Sequence, residues 1–320
     1  MTRATGRDMA ADGSRRAAPL LPSLTPMQAP SVSPSPGATP PSPPAVLPPA
    51  NRVLQVPAFE LGDRLTPEQR DFLDEVGFIR FKGFAGPKLV RELAADVEAV
   101  DARLIREGRT HINGVPLIIG QRADGGRYVQ RMCFASLFGD RLHRFLQDER
   151  FKGILEVAGP DFRIGERERD GLVVNHYRRE PGSAFSRQGW HTDSLRDVFY
   201  LEKPRRYLNV GFYLDDSPVA KGGVRILPFS HHQNLWNLLT RKAYYLDTEQ
   251  DPAEYAMEAE AGDLTIHDGR IWHRVAQATA VGDASQRRVM YLPLMNGPIK
   301  EKNEQSPTPA YFKLRKLARF

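Results

Sequence analysis

The chain has 320 residues, 41% of them hydrophobic, and a formal net charge of +6. That length and apolar content suit one large domain or two small ones, and the single cysteine, Cys133, excludes an intrachain disulfide and a cysteine-based zinc site and points to a reducing, cytoplasmic setting. No run approaches the roughly 20 apolar residues of a membrane span, and the short patch at 17–21 is too weak and too proline-flanked for a signal peptide. The charge excess sits at the ends, +2 in residues 1–50 and +4 in residues 300–320, so the middle is near neutral and no nucleic-acid partner is expected.

Residues 1–51 are rich in Pro, Ala and Ser, from Pro19 and Pro22 to Pro48-Pro49. Such a segment buries too little apolar surface to offset its ordering entropy, and a disordered tail is expected. Structure is expected from residue 52. Thr66-Pro67-Glu68-Gln69 reads as a helix start, with threonine at the cap, proline at the first helical position and glutamine three residues after the cap. That helix should end before Gly77, and Phe78-Ile79-Arg80-Phe81 alternates as a short strand. Residues 87–106 carry Leu89, Leu93, Val97 and Val100 at helical spacing, and residues 141–157 predict a third helix with Leu142, Phe145, Leu146, Phe151 and Leu155 facing inward.

From residue 172 strand-like runs succeed one another, at 172–177, 207–214, 223–227, 263–267, 272–276 and 288–294. Turn residues such as Asp215-Asp216, Gly222-Gly223 and Asp268-Gly269 lie between them. Helices followed by many strands predict an α+β, mainly β fold: a double-stranded β-helix, the cupin-type jelly roll, with flanking N-terminal helices. The domain is expected over 52–298, with a basic tail at 299–320.

The chemistry-bearing pattern is His191-Thr192-Asp193, then His273, then Arg287-Arg288. A histidine and a carboxylate two residues apart on a strand point the same way. A second histidine from a distant strand completes a 2-His-1-carboxylate triad, whose open positions suit non-haem Fe(II) and O2. An arginine close behind can clamp a carboxylate of a second reagent. Arg287 and Arg288 should face opposite ways, so only one can point inward. His267 competes with His273 for the third ligand position. Asn175, Tyr177 and Gln188, just upstream, are candidate co-substrate or substrate contacts. Arg196, Arg205 and Arg206 follow the first metal motif and are candidates for anion recognition. Trp190 and Trp272 flank ligands as packing that keeps the site dry. His231 and His232 read as turn residues, and His111, His143 and His176 have no motif support.

These motifs, in this order, resemble the phytanoyl-CoA dioxygenase family of Fe(II)/2-oxoglutarate oxygenases over most of residues 60–298. The entry segment 66–84 is similar to the family's opening helix and strand. Gln188-Gly189-Trp190-His191-Thr192-Asp193 resembles its first metal motif. Leu214-Asp215-Asp216 through Gly222-Gly223 to Pro228-Phe229-Ser230-His231 resembles its Gly-Gly…Pro-Gly-Ser-His turn, with Phe229 in place of the usual glycine. Gly262-Asp263 through Trp272-His273 and Gln286-Arg287-Arg288-Val289 resemble the segments of the distal histidine and the co-substrate arginine. The chain departs from the family at Arg274-Val275-Ala276-Gln277, where small and polar residues and an asparagine are usual, and in the 14-residue step from His273 to Arg287.

The resemblance implies His191, Asp193 and His273 as metal ligands, in preference to His267. It implies Arg287, with Arg288 as its rival, as the anchor of 2-oxoglutarate. It also implies O2-dependent oxidation of a small organic molecule with release of succinate and CO2. Related halogenases replace the aspartate by a small residue, so Asp193 favours hydroxylation or another oxidation over halogenation. Two other readings of the residues stay open: a metal-dependent hydrolase or isomerase on the same three ligands, and a non-catalytic binding module on the same barrel.

Overall fold

Thr66 starts α1 (Pro67–Val76) with a reciprocal capping box: its hydroxyl accepts from Gln69 N, and the Gln69 side chain accepts from Thr66 N. Gly77, at φ +89°, ends the helix in the left-handed conformation that glycine adopts freely. The computed structural model describes residues 54–180, 187–194, 207–309 and 312, all within one compact unit. The tail expected at 1–51 and Arg196, Arg205 and Arg206 lie outside the described residues.

The remaining helices that matter here are α2 (Pro87–Arg106), α3 (Asp140–Phe145) and α4 (Arg150–Ala158). The single helix expected over 141–157 is thus two. The chain turns at 146–149, and Asp148 accepts hydrogen bonds from both the backbone and the side chain of Arg150, an aspartate turn that competes with helix continuation. Leu142, Phe145, Leu146 and Phe151 are still buried, and Leu155 is half-buried.

The strands are β1 (Phe78–Phe81), β2 (His111–Ile112), β3 (Val115–Pro116), β4 (Ile118–Gln121), β5 (Arg127–Met132), β6 (Phe162–Ile164), β7 (Val173–Tyr177), β8 (Gln188–His191), β9 (Leu208–Tyr213), β10 (Gly223–Ile226), β11 (Tyr255–Ala256), β12 (Leu264–Asp268), β13 (His273–Ala276), β14 (Arg287–Tyr291) and β15 (Leu294–Asn296). A seven-stranded antiparallel sheet runs β1-β12-β9-β14-β7-β5-β4, and a four-stranded sheet runs β11-β10-β13-β8. These two sheets are the walls of the expected jelly roll. β4 and β5 extend the large sheet beyond the expected set; Gln130 and Arg131 interrupt the apolar pattern that would have revealed β5.

Alternation divides the large sheet. One face carries Val174, Val210, Phe212, Leu264, Ile266 and Met290 into the main core, with Leu93, Val97, Val100 and Leu104 of α2, Phe145 and Phe151. The other face carries Asn175, Tyr177, Asn209, Tyr213, His267, Arg287, Val289 and Tyr291, as their cross-strand registers require. This second face is the interior wall of the barrel and is far more polar.

Candidate functional site

β8 ends on His191 and β13 starts on His273, and the two residues are paired directly across the small sheet. Directly opposed residues of antiparallel strands project from the same face, and the ring centroids are 4.1 Å apart. Asp193 returns to that face two residues after His191, and its Oδ2 lies 3.8 Å from His273 Nε2. One ligand atom from each of the three residues lies within 4.8 Å of the others.

Each histidine turns Nδ1 to the carbonyl oxygen two residues earlier, His191 to Gly189 at 2.8 Å and His273 to Ile271 at 3.1 Å. A carbonyl only accepts, so both Nδ1 atoms carry the proton and both Nε2 lone pairs are free for a metal. Burial, and then the neighbouring His273, pushes the His191 pKa down to about 3, which keeps its ring in the neutral, ligating form. Two imidazoles and one carboxylate converging from one side fit a divalent transition metal with open positions.

Residues not singled out from the sequence support this constellation. Asn209 of β9 donates from Nδ2 to Asp193 Oδ2 at 2.8 Å. The Tyr245 ring stacks on His191 at 4.6 Å and 19°, and the Tyr244 hydroxyl donates to Thr192 O at 2.7 Å. Both tyrosines belong to a segment clamped onto β8 by Tyr245 N→Trp190 O (2.8 Å) and Trp190 N→Asp247 O (2.7 Å). Tyr245 holds φ +61°, a conformation costly for a non-glycine residue and retained where surroundings enforce it. The signal for Asn209 was present in the sequence as one amide inside an otherwise apolar strand. The Tyr244–Tyr245 clamp had no local signal.

Strand alternation separates the two arginines. Arg287 points inward and is fully buried. Its Cζ sits 3.9 Å from the centre of the Tyr177 ring, its Nε donates to Lys221 O at 3.1 Å, and its Nη1 has no hydrogen-bond partner. It forms no ion pair among the described residues. Arg288 points outward, grips Asp215 with Nε and Nη2 (2.9 and 2.8 Å), and reaches Glu98 of α2 with Nη1 (2.8 Å). Asn175, beside Arg287 on the interior face, donates to the Tyr177 hydroxyl at 3.3 Å and leaves its buried Oδ1 unpartnered. Burial raises the pKa values of Tyr213 and Tyr291 on the same wall, so both hydroxyls keep their protons. Gln188 stands opposite Val275, where a bulge in β8 brings both it and His191 opposite inward-facing residues, although they are three apart in sequence.

The other histidines lie outside the three converging residues. His231 and His232 turn Nε2 to the carbonyls of Asp74 and Glu75, closing the end of α1. His143 pairs with Glu166 at the surface, and His111 is exposed beside Thr110. His176 lies on the helix-packed face against Tyr128. His267 lies inside, its ring 4.8 Å from that of His273. Trp190 and Trp272 are fully buried with Leu227, their indole N–H groups donating to Glu249 O and Gln233 Oε1. Arg274, one of the departures noted above, faces out from the barrel and is held by both Glu254 oxygens. Phe229, in the place of a glycine, sits at φ +66°, which is why glycine suits that turn. Cys133 is buried, and burial pushes its thiol up to about 12, so it has no role as a nucleophile.

Fold and donor set together define a jelly-roll protein with a 2-His-1-carboxylate site. The family model for phytanoyl-CoA dioxygenase (PhyH) matches residues 73–280. The chain belongs to the phytanoyl-CoA dioxygenase family. No curated protein matches it. Among solved structures, it is similar to SnoN, described as a non-heme alpha ketoglutarate dependent epimerase from nogalamycin biosynthesis (TM-score 0.51, 17% identity, 76% of this chain and 86% of that one). It is also similar to HygX from Streptomyces hygroscopicus, solved with nickel and 2-oxoglutarate bound (TM-score 0.51, 16% identity, 74% and 89%) and with iron bound (TM-score 0.52, 16% identity, 75% and 89%). At these identities the likeness establishes the jelly-roll fold.

Proposed function

We propose that this protein is an Fe(II)- and 2-oxoglutarate-dependent oxygenase that hydroxylates a C–H bond of a small organic molecule. The observation that carries the reading is the pairing of His191, Asp193 and His273 with an inward, buried guanidinium, Arg287, that has no carboxylate partner among the described residues. A buried charge without a counter-charge is costly, and a dicarboxylic co-substrate chelating the metal at one end would supply that counter-charge at the other. A zinc hydrolase on the same three ligands would leave Arg287 without a partner. HygX, of the same fold, is a protein solved with 2-oxoglutarate and a metal.

When bound, Fe(II) with 2-oxoglutarate supplies the O2-dependent oxidising chemistry, with succinate and CO2 as co-products. The chain's own residues do the rest. His191 and His273 offer Nε2, with tautomers set by Gly189 and Ile271. Asp193 offers a carboxylate held by Asn209 and occupies the position a halide would need. Arg287 orients the distal carboxylate in the fork geometry that guanidinium shares with carboxylate, braced by the Tyr177 ring. Trp190 and Trp272 exclude water behind the ligands. SnoN, described as a non-heme alpha ketoglutarate dependent epimerase, shares this fold. Asp193 favours hydroxylation or another oxidation over halogenation.

The test is an anaerobic titration of Fe(II)-loaded protein with 2-oxoglutarate, following the visible metal-to-ligand charge-transfer band. Wild type should develop the band and His273→Ala should not. Iron-loaded, folded wild type without a band would reject the reading. With the band in hand, succinate release in air is the assay for screening small organic substrates.

A further inference from the structure

β12 brings a third histidine to the metal face. His267 stands directly opposite Asn209 of β9, so the side chain that grips Asp193 and the His267 ring rise together from the interior wall. The His267 ring is 4.8 Å from that of His273, at 58°. It is 3% exposed, and its Nε2 is buried with no hydrogen-bond partner among the described residues. It lies outside the three residues whose ligand atoms converge.

A phenylalanine would fill this place without burying an orphan nitrogen, so the imidazole is a poor choice for packing alone. The neighbouring polar groups are already engaged: Asn209 with Asp193, and His273 Nδ1 with Ile271 O. What the ring lacks, among the described residues, is a partner for Nε2.

We propose that His267 is a co-substrate contact, its ring N–H donating to an oxygen of the metal-chelating carboxylate of the 2-oxo acid. This rests on the oxygenase reading above and adds to it a residue for the chelating end, as Arg287 serves the distal end. A neutral imidazole carries one N–H, and the chelating end presents anionic oxygens beside the donor set in which His267 takes no part. The contact is therefore a charge-assisted hydrogen bond from outside the metal's own ligands.

The experiment uses the full chain, anaerobic and Fe(II)-loaded, titrated with 2-oxoglutarate and separately with pyruvate, which keeps the chelating end and lacks the distal carboxylate. Fe(II) affinity is measured by chelator competition. His267→Phe should hold Fe(II) within about twofold of wild type and bind both acids about tenfold more weakly, the loss of one hydrogen bond to a charged oxygen. Its charge-transfer band should be displaced, and its metal-free melting temperature should be no lower than that of wild type. His267→Gln, which returns an N–H, should regain most of the affinity. Arg287→Ala should weaken 2-oxoglutarate and leave pyruvate unchanged. Wild-type affinity and band position in His267→Phe overturn the proposal and leave the ring as packing. A large loss of Fe(II) affinity overturns it in favour of metal ligation. If His267→Phe does not fold, His267→Leu is measured in the same titrations and decides in the same way. No band in wild type overturns the oxygenase reading and this inference with it, whereas a wild-type band unchanged in the variants overturns only the assignment of His267.

Discussion

Arg287 and Arg288 are neighbours in sequence with opposite energetics. Arg288 is enclosed by Asp215 and Glu98. Arg288→Ala would leave a half-buried carboxylate without its partner, and it is expected to cost about 2–3 kcal/mol of folding stability, measured by urea unfolding, below the range for fully buried pairs because Glu98 is exposed. Arg287→Ala removes a buried charge with no ion-pair partner among the described residues, so stability should be equal or higher. The KM for 2-oxoglutarate should rise about a hundredfold or more, the scale of a desolvated carboxylate losing its guanidinium. A variant pair in which both lose stability and neither loses co-substrate would reject the assignment of roles. Asn209 acts through Asp193: Asn209→Leu should lower Fe(II) affinity by about tenfold or more, as lost support of a ligating carboxylate does, read by chelator competition.

At the scale of elements, β8 is held in place by contacts remote in sequence. Gly189 passes so close to the Tyr244–Tyr245 segment that a Cβ there would stand 2.3 Å from Tyr245 O. Gly189→Ala therefore has to push the segment away, removing the ring that stacks on His191. The expected outcome is a lower melting temperature together with weaker Fe(II) binding. A fall in melting temperature with unchanged iron affinity would show that the clamp serves the fold alone. The helices show how local signals perform. α1 and α2 are found where cap and periodicity place them, because capping box, proline and glycine are local chemistry. The expected third helix breaks at Asp148, where a side-chain turn competes with the ladder. β4 and β5 escape the sequence because a strand in a mixed polar setting lacks the period-2 contrast.

For the whole molecule, four buried imidazoles with pKa values lowered by burial, those of His176, His191, His231 and His267, dominate the acid response. Burial is the first cause of each shift: His176 is lowered to about 4, and His191 and His267 to about 3. The unfolded chain then takes up protons that the folded chain refuses once pH falls below about 6.5. Metal-free stability should be level above about pH 7 and fall as pH drops from 6.5 towards 4. Each ring contributes a slope of about 1.4 kcal/mol per pH unit. Thermal melting of chelator-treated protein between pH 8 and pH 5 measures this, and His176→Gln should flatten the fall. A flat profile across that range would contradict the burial of these rings. Removal of residues 1–51 is predicted to leave co-substrate binding and melting temperature unchanged, since the described core starts at Leu54 and Val56.

The sequence by itself determined the jelly-roll class, the three convergent groups and the pair of candidate arginines. The fold class follows from period-2 alternation and the pair His191 and Asp193 from a His-x-Asp spacing, whereas the choice of His273 over His267 came from the resemblance to the phytanoyl-CoA dioxygenase family. Tertiary structure alone decided which arginine turns into the barrel, because that depends on strand register across β7, β14 and β9. It alone placed Asn209, Tyr245 and His267 around the ligands, since their partners lie 16, 54 and 6 residues away in sequence and meet only across sheets. Spacing reveals what one strand can point in a common direction, whereas the neighbours that orient, brace and complete those groups come from other strands, and only folding brings them within hydrogen-bond reach.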